Sequence, residues 1–538
     1  MFIKVGMLLL FFAVMIGVGI YSRKTATDIN GFVLGGRSVG PWLTAFAYGT
    51  SYFSAVIFVG YAGQFGWKFG LASTWIGLGN AVIGSLIAWV ILGRRTRVLT
   101  HKLDSSTMPD YFEKRFHSKG LKIVASTIIF IFLIPYTASL YNGLSRLFNM
   151  AFDIDYTVCV IVMAVLTGIY VIVGGYMATA INDFIQGIIM LVGIVAVIGA
   201  VLASHGGFME SVIELAGYSD AQEAAYHTGA YEVVANGDVP GIFASFFGPD
   251  PLNLLFVVIL TSLGTWGLPQ MVQKFYAIKS ERAVKTGTIV STAFAIVVAG
   301  GCYFLGGFAR LTADAVERKD DGSVIFDSVI PKMIENLPEL LIAVVVILVL
   351  SASMSTLSSL VLTSSSTMTL DFIKGTVVKK MSEKKQILLI RVFIVIFVVI
   401  SAIIAIVQYK SSVTFIAQLM GVSWGALAGA FLAPFLYSLY SKKVTVASCW
   451  VSFIFGSVFM ILNLFNTLGI LTLPIFDGIL ASPINSGAFT MIAGLIIVPV
   501  VNLFTKKPDQ KSVDELFMAF EEKVVVKRRN SLETSEDE

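Results

Sequence analysis

The chain has 538 residues, of which 56% are hydrophobic and 13% charged, with a mean hydropathy of +0.83. That composition excludes a soluble globular protein and identifies a polytopic membrane protein. The net charge of +4 gives no sign of a nucleic-acid partner, and Cys159, Cys302 and Cys449 all lie in apolar runs, which leaves neither a disulfide framework nor a zinc motif.

The apolar run from Phe2 to Tyr21 is longer than a signal-peptide core and lacks a small-residue cleavage site, so it reads as a spanning helix. Twelve more runs follow. The thirteen expected spans are 3-21, 42-65, 71-92, 121-149, 156-177, 183-203, 251-276, 285-308, 338-370, 386-408, 412-440, 444-468 and 487-504, an all-α integral membrane protein. Lys and Arg concentrate in alternate loops, around Arg23 and Arg37, Arg94 to Lys119, Lys274 to Lys285, Lys374 to Lys385, and Lys442. By the positive-inside rule the amino terminus is expected outside and the carboxyl terminus in the cytoplasm. With Lys274 counted in its loop, no Lys or Arg is expected in the middle of a span. The stretch 204-250 has no Lys or Arg and should form an external cap, with a short helix near Asp220 to Tyr231. The tail 505-538 reads as a solvated cytosolic extension, although Arg528-Arg529-Asn530-Ser531 resembles a basic phosphosite.

Two spans carry runs of little helix propensity: Gly49-Thr50-Ser51-Tyr52-Phe53-Ser54 in the second and Ser262-Leu263-Gly264-Thr265-Trp266-Gly267-Leu268-Pro269 in the seventh. Taking 42-203 and 251-440 as two five-helix halves puts one break in the first helix of each, as an inverted repeat requires. Residues 1-41 are then an extra helix and linker, and 441-504 two trailing helices. Packing glycines are the competing reading of either run. At a true break, freed carbonyls suit a cation and freed amides a carboxylate.

The ninth span contains Leu350-Ser351-Ala352-Ser353-Met354-Ser355-Thr356-Leu357-Ser358-Ser359. On a helix Ala352, Ser355, Thr356 and Ser359 fall on one stripe, and hydroxyls so placed could hold a small hard cation. Asp183 and Gln186 share a helix face near a span end. Asp183 is either a helix amino-terminal residue favourable to the dipole or a carboxylate on an inward path from the stripe.

These residues resemble the sodium/solute symporter family, which has a leucine-transporter-type core. The resemblance rests on Phe32-Val33-Leu34-Gly35-Gly36-Arg37-Ser38, Gly174-Gly175 with Asn182-Asp183-Phe184-Ile185-Gln186, Gly267-Leu268-Pro269, and Ser353-Met354-Ser355-Thr356-Leu357-Ser358. It implies a main sodium site from the carbonyls of Thr50, Phe53 and Ala352 and the hydroxyls of Ser355 and Thr356. A second site, found in some relatives, would use Asp183, Ser355, Ser358 and Ser359, so one or two sodium ions are expected. No organic cofactor is expected.

Ala55-Val56-Ile57-Phe58 stands where the family's sugar carriers place a polar or acidic residue after Ser54, and Thr74 to Asn80 lacks their glutamate. The proline and pantothenate branches are nearer. Tyr136 matches a tyrosine of proline carriers, but Tyr52 stands where they have aspartate and Thr261 where they have tryptophan; Gly267-Leu268-Pro269-Gln270 is closer to the pantothenate type. The resemblance therefore implies sodium-coupled import, by alternating access, of an amino acid such as proline or a small carboxylate such as pantothenate. Tyr52, Ser54, Tyr136, Thr265 and Trp266 are the candidate solute-binding residues. A proton-coupled carrier and a non-transporting membrane sensor are the alternatives. A monomer in the cell membrane is expected, with no enzymatic nucleophile, base or metal motif.

Overall fold

The computed structural model describes residues 2–219, 236–320, 322–378, 380–410 and 416–521. The helix expected near Asp220 to Tyr231 and the basic stretch before Ser531 lie outside the described residues. Within them the fold is helical, as a chain in lipid requires when each backbone amide and carbonyl must be satisfied internally. The principal helices are α1 (Phe2–Ser22), α2 (Pro41–Tyr52), α3 (Ala62–Phe69), α4 (Lys119–Phe152), α5 (Tyr156–Ser204), α6 (Pro251–Gly267), α7 (Pro269–Ala277), α8 (Glu281–Ala295), α9 (Glu339–Thr367), α10 (Glu383–Lys410), α11 (Ile416–Tyr440), α12 (Val446–Thr467) and α13 (Pro483–Phe504). Side-chain caps start many of them, including Ser118 on α4, Asp155 on α5, Asp250 on α6 and Ser280 on α8.

Among the described residues, ten helical stretches are long and apolar enough to span a membrane, or eleven if the bent pair α6 and α7 is one span. The expected count of thirteen is not reached by that measure. Residues Val56–Lys102 run as one apolar helical stretch, turned back at Gly70, and Tyr156–Ile169 is too short by itself. α9 and α11 are the buried centre, whereas α1 lies at the edge with 17% of its apolar window covered.

Both runs of low helix propensity are real breaks. α2 stops at Tyr52, Phe53 adopts an extended conformation (φ −90°, ψ 118°), and π-helical turns resume at Val56–Tyr61 before α3. Leu268 (φ −76°, ψ 122°) separates α6 from α7, with a 45° bend. The two broken helices run in opposite directions. They are joined where α2 begins and α7 ends: Lys279 N–H donates to the Val39 carbonyl at 3.0 Å, and Val39 N–H to that of Ala277 at 3.3 Å. This junction lies at the Lys- and Arg-rich end of the bundle, called the basic end below.

Two backbone close approaches depend on glycine. A Cβ on Gly66 would lie 1.9 Å from the Gly306 carbonyl oxygen, so α3 and the helix Gly301–Gly306 touch backbone to backbone. Gly175 kinks α5 at φ 56°, ψ −153°, a region essentially closed to other residues, and a Cβ there would meet the Phe32 carbonyl at 2.9 Å. Gly175→Ala is expected to cost about 1 to 3 kcal/mol and lower the thermal midpoint of the detergent-solubilised protein; an unchanged midpoint would show that the kink is not needed. α5 continues unbroken past this kink, so Asp183 sits two turns inside the helix. It is not the helix-terminal residue that one sequence reading allowed.

At the opposite, far end, Asp327 begins the short helix Phe326–Ile334, buried beside Arg146 at 3.9 Å. Burial pushes its carboxyl up to about 6, against the pull of Arg146. The folded protein thus holds this proton more tightly than the unfolded chain does. Asp327 favours folding fully below about pH 4, and that contribution is lost as pH rises through about 6. Raising pH from 4 to 7 should lower the thermal midpoint of the wild type relative to Asp327→Asn; an equal response of the two proteins would contradict this assignment.

Candidate functional site

The last carbonyls of any helix lack intrahelical partners, and a break in mid-bundle leaves them facing protein. At the end of α2 they face the hydroxyl stripe of α9. Ser355 Oγ lies 3.2 Å from the Thr50 carbonyl and 3.0 Å from that of Ala352. Thr356 Oγ1 lies 3.2 Å from Thr50 O, 3.3 Å from Phe53 O and 3.1 Å from Ala352 O. All five residues are buried. Two hydroxyl protons cannot fully satisfy three carbonyls around them, so the cluster is rich in lone pairs and carries no formal charge. An all-oxygen set of this kind is the donor chemistry a hard monovalent or divalent cation prefers.

The other four-residue set is arranged differently. Ser358 Oγ donates back to the Ser355 carbonyl at 2.9 Å, within its own helix. Between Ser359 and Asp183 stands Lys274 of α7, whose Nζ donates to Ser359 Oγ at 3.0 Å and lies 3.7 Å from Asp183 Oδ2. The ammonium also faces the Tyr176 ring, 5.2 Å from its centre. Ser51 Oγ of α2 is 3.0 Å from Ser359 Oγ. Lys274, Asp183 and Ser359 are all buried. This corrects the expectation that no basic side chain stands inside a span: α7 carries Lys274 back into the bundle, where Asp183 balances its charge.

The five candidate solute-binding residues divide. Ser54 and Tyr136 are buried beside one another, the Tyr136 hydroxyl faces Ser54 and the Trp424 indole, and none of the three polar groups has a hydrogen bond of normal geometry. Trp424 meets Tyr136 edge to face with ring centres 5.9 Å apart. Thr265 and Trp266 turn elsewhere. Thr265 Oγ1 donates to the Gly84 carbonyl at 3.0 Å and Trp266 Nε1 to that of Ile83 at 3.0 Å, tying α6 to the π-helical Asn80–Ile87. Tyr52 closes α2, and its side chain lies outside the described set. At the far end a cavity of about 520 Å³ opens between α3 and α6, lined by Gln64, Lys68, Asp250, Asn253 and Asn485 among others.

Residues 32–456 match the sodium:solute symporter family. The chain belongs to that family. Among curated relatives, the osmoregulated proline transporter OpuE of Bacillus subtilis is 28% identical over 94% of this chain and 95% of its own. A sodium/proline symporter of Staphylococcus aureus is 28% identical over 85% of this chain and 84% of its own. A solved Na+-coupled sialic acid symporter in a substrate-bound, outward-open state superposes with a TM-score of 0.71 at 17% identity, covering 95% of this chain and 99% of that one. The likeness in structure shows a shared fold.

For this symporter-family chain, sequence reasoning missed two residues of the centre. Lys274 lies within the expected span 251-276 yet reads as a charge of the adjoining loop, because hydropathy averaging tolerates a charge near a span end. Its position five residues after Pro269, on the helix that restarts at the break, was the available signal. Trp424 sits in the largely apolar α11, directly after Ser423, and nothing in the local sequence marks which face it presents.

Proposed function

We propose that this protein imports a small organic solute together with sodium by alternating access, with proline or a similar small amino acid as the leading solute class. The observation that carries this reading is the convergence of the Ser355 and Thr356 hydroxyls on the carbonyls of Thr50, Phe53 and Ala352. A cation bound there would bridge the broken helix α2 to α9, and so couple ion binding to the arrangement of two elements that must move relative to each other. Membership of the family and the names of the proline-carrying relatives support the same assignment.

Ser54, Tyr136 and Trp424 bring three polar groups together beside the same break, without hydrogen bonds of normal geometry among them, a set suited to the carboxylate of a small zwitterion enclosed by aromatic surface. The far-end cavity is the entry vestibule in this reading, and the basic end faces the cytoplasm. Sodium crossing about 100 mV supplies about 2.3 kcal/mol, and a tenfold gradient adds about 1.4. Together they support accumulation of a neutral solute by roughly several hundredfold.

Uptake of radiolabelled proline into proteoliposomes tests the proposal. An inward sodium gradient should drive accumulation, competed by unlabelled substrate, and potassium in place of sodium should abolish it. Equal accumulation in potassium would overturn sodium coupling; sodium-driven uptake of another solute from a panel of amino acids and short carboxylates would overturn proline alone.

A further inference from the structure

We propose that the Lys274 ammonium is a resident cation occupying the position that a second sodium ion would need, and that it limits the protein to one bound sodium per chain. This inference rests on the sodium reading above and adds the stoichiometry. Asp183 is buried on α5 about two turns past the Gly175 kink, and neither of its oxygens has a hydrogen bond of normal length. The positive group near it is Lys274 Nζ at 3.7 Å, which also donates to Ser359 Oγ at 3.0 Å.

Ser359 lies one turn along α9 from Ser355, so this ammonium sits directly inward of the five-oxygen cluster, on the same stripe. An ammonium and a sodium ion carry the same charge and seek the same partners, a carboxylate and hydroxyl oxygens. They differ in that Lys274 is tethered and cannot leave at the end of a cycle. Asp183 supplies one negative charge, and Lys274 already neutralises it. A sodium ion added beside this pair would be an uncompensated buried charge one helical turn from a second cation. The pair therefore does two things: it holds α5, α7 and α9 together through Asp183, Lys274 and Ser359, and it closes the inward position to a mobile ion.

Removing the ammonium should open that position. Lys274→Ala leaves Asp183, Ser359 and Ser51 around a space that water can share, which is an oxygen set containing a full negative charge.

Equilibrium binding of radioactive sodium to the detergent-purified full chain tests this without knowledge of the solute. The wild type should bind one sodium per chain, Lys274→Arg one, and Lys274→Ala two, the second lost again in Lys274→Ala/Asp183→Asn. Two ions in the wild type or in Lys274→Arg would overturn the proposal and leave sodium coupling standing. One ion in a folded Lys274→Ala would also overturn it. No bound sodium in the wild type would instead overturn the sodium reading itself. Two ions in the wild type overturn the proposal even where Lys274→Ala cannot be recovered folded, and Lys274→Gln, which keeps the side chain's bulk without its charge, is then the variant expected to gain the second ion.

Discussion

Thr356→Ala is expected to raise the sodium concentration for half-maximal uptake by roughly 10- to 150-fold, the equivalent of a lost charge-assisted contact of about 1.5 to 3 kcal/mol. The reason lies in the geometry of one oxygen. Thr356 Oγ1 is within 3.3 Å of three carbonyls, more than Ser355 Oγ, and it is the hydroxyl that reaches Phe53 as well as Thr50 at the end of α2. Thr356→Ser keeps that oxygen and should retain most of the sodium affinity. Sodium titrations of proline uptake by the three proteins check the pair. Equal sodium affinity in wild type and Thr356→Ala would remove the cluster from the coupling mechanism.

The second large effect concerns stability. Asp183→Asn leaves the Lys274 ammonium buried without its counter-charge, and breaking one side of a buried pair costs about 3 to 5 kcal/mol. The thermal midpoint in detergent should fall sharply. The double variant Asp183→Asn/Lys274→Gln, which buries no charge, should recover much of the loss. That recovery distinguishes a charge effect from simple damage to α5. A double variant as unstable as Asp183→Asn would show that the carboxylate matters for another reason.

The sequence carried the architecture because lipid forces a uniform solution: every long apolar run must be helical, and the runs that depart from helix propensity stand out. Gly49 to Ser54 and Ser262 to Pro269 were legible for that reason, and both are breaks in the folded protein. The hydroxyl stripe was legible from its helical spacing, and its meeting with Thr50 and Phe53 followed from a resemblance in kind rather than from any local signal. The remainder depended on tertiary placement. Thr265 and Trp266 looked available beside their break, but their polar atoms are taken by the Gly84 and Ile83 carbonyls of a neighbouring helix. Lys274 looked like a loop charge, since composition alone cannot say whether α7 turns its basic residue outward or back toward Asp183. The count of spans differs because Val56–Lys102 turns at Gly70 with almost no loop, so the runs expected at 42-65 and 71-92 join into one apolar helical stretch.

In the function proposed above, the five oxygens around Ser355 and Thr356 form a sodium-selective site that braces the broken helix, whatever solute is carried. Thermal unfolding of the purified protein, followed as sodium, potassium or choline chloride is titrated without solute, tests it most directly. Binding to the folded state alone raises the midpoint with ion concentration. The wild type should be stabilised by sodium and not by potassium or choline, and in Thr356→Ala the same rise should need roughly 10- to 150-fold more sodium. Equal stabilisation by sodium and potassium, or a sodium response unchanged in Thr356→Ala, would contradict it.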